Sequence, residues 1–302
     1  IYSLIGRADA DIRLENITDS GNPIRISGTA ETDDLDIGKL ISSDLIGPVT
    51  LRTGLKAELG KTKSARIDSL FIDRLNLNNY DYTGIKASGA LSENMFNGTI
   101  IASDPNLNFI LQGGFALSAK TNNARYKFYA NVSDADLNAI NIDKRGKSRL
   151  RFQTNANFTK TNDGNILGNI DIADLILENR DSTSHIGNIN LTSHSNDDVY
   201  KIRLRSQFAD GSYTGTAPVT QFVKDIQNVT LRKETPALFD DPEFAWSGNS
   251  YTFDFNSHDS MSLLSFIMPG MYIHNGTTIS LSIDAEEDMR LSLNSKRIAL
   301  GA

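Results

Sequence analysis

The stretch Val49-Thr-Leu-Arg-Thr-Gly-Leu-Lys-Ala-Glu-Leu59 alternates between apolar or small side chains and polar ones. Successive side chains of a β-strand point to opposite faces of a sheet, so this alternation predicts a strand with one apolar and one solvated face. Leu51 and Leu55 fall on the apolar face, whereas Arg52 and Lys56 fall on the solvated face. One segment thus already indicates a half-buried sheet.

The same period of two recurs along most of the 302 residues, in about sixteen strand-like segments. Turn signals rich in Asn, Asp and Gly separate them, for example Ser20-Gly-Asn-Pro23 and Asn275-Gly276. These residues readily adopt the positive φ angles of hairpin turns. The pattern therefore predicts an all-β, mostly antiparallel sheet.

Only two segments have helical spacing. Pro218 opens the first, over residues 218–229, where Phe222 and Ile226 share an apolar stripe. The second covers residues 259–267 and ends before Pro269-Gly270. The intervening stretch 234–245 is predicted to be a loop. No low-complexity linker divides the chain, so residues 1–302 are interpreted as one architectural unit. Because the sequence starts without Met and already inside an apolar pattern, it is expected to be a segment of a longer protein.

Composition excludes several classes of function. The net charge is −7, so no basic field is present to attract nucleic acid or an anionic membrane surface. The absence of Cys excludes disulfides, thiolate nucleophiles and Cys-based zinc sites. No apolar run approaches the roughly 20 residues that span a bilayer.

Residue patterns that carry chemistry are scarce. The four histidines lack metal-site spacing, and no nucleophile elbow, phosphate loop or dinucleotide fingerprint occurs. Asp33-Asp34 and Asp197-Asp198 lack the spacing of a calcium loop and are interpreted as solvated turns. Gly113-Gly114 is predicted to mark a β-bulge. The chain is therefore expected not to be an enzyme and to bind no metal or cofactor.

The apolar side of the strands could be arranged in three ways. It could be buried by a second sheet, enclosed in a β-helix, or left facing an open groove. Periodicity alone favours a closed core. A polysaccharide-active β-helix would also need a cluster of charged residues on one wet face, and none is evident.

Several segments resemble the C-terminal part of the TamB family of the AsmA-like superfamily. The resemblance covers residues from about 24 to 280, through the order and spacing of short motifs. They are Leu35-Asp-Ile-Gly-Lys-Leu-Ile-Ser-Ser-Asp-Leu-Ile-Gly-Pro-Val-Thr50, Tyr80-Asp-Tyr-Thr-Gly-Ile-Lys-Ala-Ser-Gly-Ala-Leu91, Phe96-Asn-Gly-Thr99, Asp104-Pro-Asn-Leu-Asn-Phe109, Ala135-Asp-Leu-Asn-Ala-Ile140 and Ser206-Gln-Phe-Ala-Asp-Gly-Ser-Tyr-Thr-Gly215.

The resemblance implies a long curled sheet, a β-taco, with an apolar inner groove. It implies a periplasmic protein anchored in the inner membrane that moves phospholipids between the inner and outer membranes. The partners would be phospholipid acyl chains and an Omp85-type outer-membrane barrel protein. An alternative role is a scaffold or chaperone for outer-membrane protein assembly with that barrel.

Alternation provides candidates for the lining of such a groove. Each is an apolar residue on the dry side of a predicted strand, with ordinary core packing as the competing interpretation. They are Leu51, Leu55, Leu107, Phe109, Leu111, Phe115, Tyr126, Phe128, Leu150, Phe152, Phe158, Ile202, Leu204, Phe208, Phe253, Phe255, Ile279 and Leu281.

Overall fold

The fold is antiparallel β throughout, as predicted. The computed structural model describes residues 2–3, 5–18, 21–60, 63–117, 123–162, 165–180, 182–196, 198–234, 246–259, 261–267 and 270–300. The chain forms two compact units. Unit 1 comprises Ile1–Asn157 and Asp174–Thr183, and unit 2 comprises Phe158–Ala173 and Ser184–Ala302. That the chain is one functional segment stays a prediction.

Unit 1 is built on a ladder in which each strand from β2 to β9 pairs antiparallel with the next. Its elements are β1 (Tyr2–Ser3), β2 (Gly6–Glu15), β3 (Ile24–Asp36), α1 (Ile37–Ile41), β4 (Ile46–Leu59), β5 (Lys63–Leu77), β6 (Tyr80–Ser92), β7 (Met95–Asp104), β8 (Leu107–Ala116) and β9 (Ala124–Asp136). Three further strands have residues in both units: β10 (Ser148–Lys160), β11 (Ile166–Asn179) and β12 (Thr183–Asn196).

Unit 2 contains a second antiparallel ladder, in the order β12, β13, β14, β15, β17 and β18. A separate pair joins β16 to β19. The remaining elements are β13 (Val199–Ser206), β14 (Ala209–Gly215), α2 (Val219–Glu234), β15 (Tyr251–Ser257), α3 (Met261–Ile267), β16 (Met271–Ile273), β17 (Thr278–Ile283), β18 (Met289–Asn294) and β19 (Ile298–Leu300).

Both predicted helices are present, and a third was missed. α2 starts directly after Pro218 but continues to Glu234, because residues 230–234 contain no Gly or Pro that would end it. The short α1 was missed because it interrupts a strand pattern. The Asp36 side chain caps it by accepting a hydrogen bond from the Lys39 amide at 3.1 Å. Residues 235–245 of the predicted loop lie outside the described residues.

Three glycines of unit 1 form a row across neighbouring strands, with Gly89 opposite Gly98 and Gly98 opposite Gly113. A Cβ atom on Gly98 would lie 2.1 Å from the Ser88 carbonyl oxygen, and one on Gly113 would lie 2.2 Å from the Lys127 carbonyl oxygen. Backbone atoms therefore approach too closely at this level for any side chain.

The predicted bulge at Gly113-Gly114 is wrong. Gly113 pairs in regular register with Gly98 on one side and Phe128 on the other, and the register shift between β8 and β9 lies at Asn108 and Phe109 instead. Close backbone approach, rather than an extra residue in the strand, explains the glycine.

Candidate functional site: the apolar faces of the two units

Strand register brings the apolar residues of unit 1 onto one face. Residues directly opposite each other in an antiparallel ladder lie on the same face. One row therefore runs across six strands, through Leu51, Ile72, Ile85, Ala102, Phe109 and Val132. The next row runs through Thr53, Leu70, Ala87, Ile100, Leu111 and Ala130. We call the surface made by these rows and their continuation on β2 and β3 the unit 1 apolar face.

All the predicted groove residues of β4, β8 and β9 lie on this face. Leu55, Leu107, Phe115 and Phe128 join it by register, opposite Ile67, Ala135, Phe96 and Gly113, respectively. Tyr126 lies two residues before Phe128 on β9 and therefore points to the same side.

The unit 1 apolar face is only partly shielded from solvent. Leu51, Leu55, Phe109, Leu111 and Phe128 are half-buried, not buried. Towards β2 the face opens further, where Ile12 and Leu14 are 48% and 50% exposed. A sandwich core would bury such residues almost completely. The face is therefore accessible to an apolar ligand.

The opposite face of the same strands is charged. Arg25 bonds Glu58 at 3.1 Å, and Asp68 bonds Lys56 at 3.3 Å and Arg66 at 2.9 Å. These exposed pairs contribute little stability individually. They do specify register, because a slip by one residue would move the charges onto the apolar face.

A polar cluster lies where β6, β7 and β8 meet at one end of this ladder. The carboxylate of Asp104, 1% exposed, accepts hydrogen bonds from the Tyr80 hydroxyl at 2.6 Å, the Thr83 amide at 2.8 Å and the Asn106 amide at 2.9 Å. Burial alone would raise the pKa of Asp104, but the bonds from Tyr80, Asn106 and Thr83 together hold that pKa below its ordinary value. The cluster fixes the β7–β8 turn.

The loop after β9 packs at the same end of the ladder. The Asn141 side chain donates to the carbonyl oxygens of Asn78 and Asn79, each at 3.1 Å, and the Asn78 side chain donates to the Asn141 carbonyl oxygen at 3.0 Å. Ile140 beside it is 1% exposed. This end of unit 1 is therefore more tightly packed than the middle of its apolar face.

Unit 2 has its own apolar face, which we call the unit 2 apolar face. One row contains Ile202, Tyr213, Phe253, Leu281 and Leu291, and the next contains Leu204, Gly211, Phe255, Ile279 and Leu293. Six predicted groove residues thus lie together here. They are Ile202, Leu204, Phe253, Phe255, Ile279 and Leu281.

Helix α2 lies against part of the unit 2 apolar face. The ring centroid of Phe222 lies 5.3 Å from that of Tyr213, 5.1 Å from that of Tyr251 and 6.1 Å from that of Phe253. Tyr213 and Tyr251 are 3% and 2% exposed as a result. Leu281 and Ile283 belong to the same buried cluster.

A buried carboxylate fixes α2 to the strands beneath it. Asp225 accepts hydrogen bonds from the Tyr251 hydroxyl, the Ser247 hydroxyl and, at 2.8 Å, the Gln221 side-chain amide. Burial raises the pKa of Tyr251, and the bond to Asp225 raises it further. Burial and the charge of Asp225 likewise raise the pKa of Tyr213, whose hydroxyl donates to the Ala217 carbonyl oxygen.

The remaining four predicted groove residues lie outside the rows that define the two apolar faces. Leu150, Phe152 and Phe158 share one side of β10 with the buried Thr154 and Ala156. Phe208 does not extend β13, which ends at Ser206. It lies in the turn before β14, where its carbonyl oxygen accepts from the His258 amide at 2.8 Å. The alternation of apolar and polar residues extends two positions beyond the end of β13, so the sequence pattern did not reveal where the strand ends.

Sequence reasoning missed several residues of the unit 1 apolar face. β5 contributes Ile67, Leu70 and Ile72, but its register shifts against β6 between Ile67 and Leu70, which breaks strict alternation. On β7, Ile100 is followed by Ile101, which pairs with Lys86 on the charged face. Two adjacent isoleucines do not alternate with polar residues, so the sequence alone cannot tell which of them lies on the apolar face. Their partners on β6 decide it.

Within the described ranges, no group of three or more His, Cys, Asp or Glu side chains could hold a metal ion. No helix in the part that the structure describes is long and apolar enough to cross a membrane. Comparison with known proteins finds no matching protein family, curated protein or solved structure. Function is therefore inferred from the apolar faces and their exposure.

Proposed function

We propose that the chain is part of a periplasmic lipid conduit similar to the TamB family, in which acyl chains of phospholipids travel along the apolar faces between the inner and outer membranes. The observation that supports this most is the ladder from β2 to β9, whose apolar side chains lie in register on one face. Leu51, Phe109 and Leu111 on this face are half-buried, although Ala102 and Ala130 in the same rows are buried. Segments outside this chain would provide the inner-membrane anchor and reach an Omp85-type barrel partner.

Solvent chemistry explains what such a face would accomplish. Each methylene group exposed to water costs about 0.8 kcal/mol, so an acyl chain of some fifteen methylenes costs roughly 12 kcal/mol to move through water. A continuous apolar face removes much of this cost. The polar headgroup would stay in water beside the face, so no buried partner for it is required.

The dimensions of unit 1 suit an acyl chain. Neighbouring strands lie about 4.8 Å apart, so a ladder of eight strands extends over roughly 34 Å. One leaflet provides half of the roughly 30 Å hydrocarbon core of a bilayer, so an acyl chain from it is shorter than the ladder. The unit 1 apolar face is therefore long enough to cover one acyl chain over its whole length.

The composition of the face favours movement over tight binding. Its two central rows contain Leu, Ile, Val, Phe, Ala and one Thr, with no ionisable side chain. Dispersion contacts with such side chains are weak individually and similar from one position to the next. An even energy profile lets a lipid advance, whereas a single deep site would retain it.

Lipid mass spectrometry on protein purified without detergent tests this function. We expect phospholipids to co-purify with the chain, because the half-exposed face gains apolar contact by retaining them. As a control, the protein is stripped of lipid by unfolding and refolding, and is then offered phospholipid or outer-membrane protein peptides. Binding of the peptides together with no retention or uptake of lipid would contradict the proposal and favour the scaffold role.

A further inference from the structure

Helix α2 covers only part of the unit 2 apolar face. Tyr213, Tyr251 and Leu281 are buried in the cluster that contains Phe222 of α2. In the adjoining row Leu204, Phe255 and Ile279 are half-buried. On β18, the residues that continue these rows stay exposed, Leu291 at 61% and Leu293 at 54%. The surface under α2 is thus one portion of a wider apolar face.

The described side chains of α2, those of residues 219–227, make few apolar contacts with this face. Among its described side chains, Phe222 is buried and Ile226 packs against the same cluster. Val219 and Val223 on the same helix are 37% and 50% exposed. A helix that completed a core would be expected to bury most of its apolar side chains. One aromatic ring with one aliphatic neighbour therefore provides most of the described apolar contact.

The rest of the attachment is polar and centres on Asp225. This carboxylate is 1% exposed, and its described partners are neutral hydroxyl and amide groups on Tyr251, Ser247, Gln221 and Asn249. A buried carboxylate depends on such bonds to offset its lost hydration. The bonds hold the helix at one place on a face that is otherwise apolar, which a purely apolar contact could not specify.

We infer that α2 is a displaceable occupant of the unit 2 apolar face, and that acyl chains reach Tyr213 and Phe253 only when α2 leaves. This inference rests on the proposed lipid function. An acyl chain that replaces Phe222 and Ile226 covers the same aromatic surface, so the exchange leaves the buried apolar area nearly unchanged. The bonds to Asp225 then decide how often the face is open, because among the described contacts of α2 they are the ones that an acyl chain cannot reproduce.

Photocrosslinking to lipid tests the inference. A benzoyl-phenylalanine is placed at Phe253, beneath α2, or at Phe109 on the unit 1 apolar face, and the protein is mixed with phosphatidylethanolamine–phosphatidylglycerol vesicles. Asp225→Ala, which removes the polar attachment, is expected to raise lipid labelling at position 253 at least threefold. Labelling at position 109 should stay unchanged.

Two controls make the result specific. Lys224→Ala alters the adjacent exposed residue of α2 and should leave labelling at both positions as in the parent. The single Trp246 packs edge-to-face against Tyr251 with ring centroids 6.2 Å apart, so its emission should shift to longer wavelength when α2 leaves the face. Circular dichroism verifies that the strands stay folded. A second variant, Phe222→Gln, removes the ring contacts and should act in the same direction.

Unchanged labelling at position 253 in both Asp225→Ala and Phe222→Gln, with the strands folded, would overturn the inference. α2 would then be an ordinary part of the core. If the proposed lipid function itself is wrong, the result differs from this one. Position 109 would then also give no lipid adduct in any variant.

Discussion

Replacing Leu111 by aspartate is expected to reduce phospholipid transfer at least about tenfold while the sheet stays folded. Leu111 lies in the middle of the unit 1 apolar face, between Ile100 and Ala130. An acyl chain passing this point would displace water from the carboxylate, which costs several kcal/mol, and about 1.4 kcal/mol corresponds to a factor of ten in rate. Because Leu111 is only half-buried, the loss of stability should be about 1–2 kcal/mol. The measurement is transfer of fluorescent phospholipid between donor and acceptor vesicles.

The neighbouring residue provides a matched control. Ile110 is also aliphatic and lies on the same strand, but it is 38% exposed on the opposite face, across from Asn131. Ile110→Asp should therefore leave transfer within about twofold of the parent, which corresponds to under 0.5 kcal/mol. Equal loss of transfer in both variants would show that the apolar face is not the path of the lipid. Unfolding of Leu111→Asp alone would show that this face is a closed core.

The largest effect on stability is expected from Gly98→Ala. Its Cβ atom would lie 2.1 Å from the Ser88 carbonyl oxygen and 2.6 Å from the Gly89 Cα. Both are backbone atoms of the adjacent strand, so relief requires the ladder to separate locally. We expect a loss of about 3 kcal/mol. Thermal unfolding followed by circular dichroism should show a Tm lowered by roughly 5–10 °C.

Gly114→Ala is the control for this substitution. Gly114 lies on β8, where the nearest described atom to an added Cβ is the Phe96 carbonyl oxygen at 3.9 Å. The added methyl group should change stability by less than about 1 kcal/mol, in either direction. A Tm for Gly98→Ala that matches that of Gly114→Ala would refute the close approach of the backbones at the glycine row.

Alternation predicted the strands and the face of each groove residue on β4, β8 and β9 because these strands carry one polar side chain between successive apolar ones. Asp104-Pro105 has the composition of a turn, and β7 indeed ends at Asp104 before Leu107 returns to the apolar face. Gly98 interrupts the pattern of a strand, which is typical of a close approach of backbones, and the distances to the Ser88 carbonyl oxygen and the Gly89 Cα agree with this. Local chemistry was sufficient in each case.

Features that depend on distant partners could not be predicted. Phe222 of α2 covers Phe253 of β15, which lies 31 positions later in the chain. Hydrophobic periodicity within each segment does not reveal which helix packs on which strand. The role of Asp225 was hidden for the same reason, because a lone acidic residue on a helix usually faces solvent. Its donor Tyr251 is recognisable only once the helix is seen to lie on the strand.

A photocrosslinking scan along β8 tests most directly whether lipid travels along the apolar face. A photoreactive residue is placed at each position from 107 to 112, one at a time, in the presence of phospholipid vesicles. We predict adducts at Leu107, Phe109 and Leu111 and none at Asn108, Ile110 and Gln112, because successive residues of the strand point to opposite faces. Equal labelling at all six positions, or no adduct at any of them, would contradict the account.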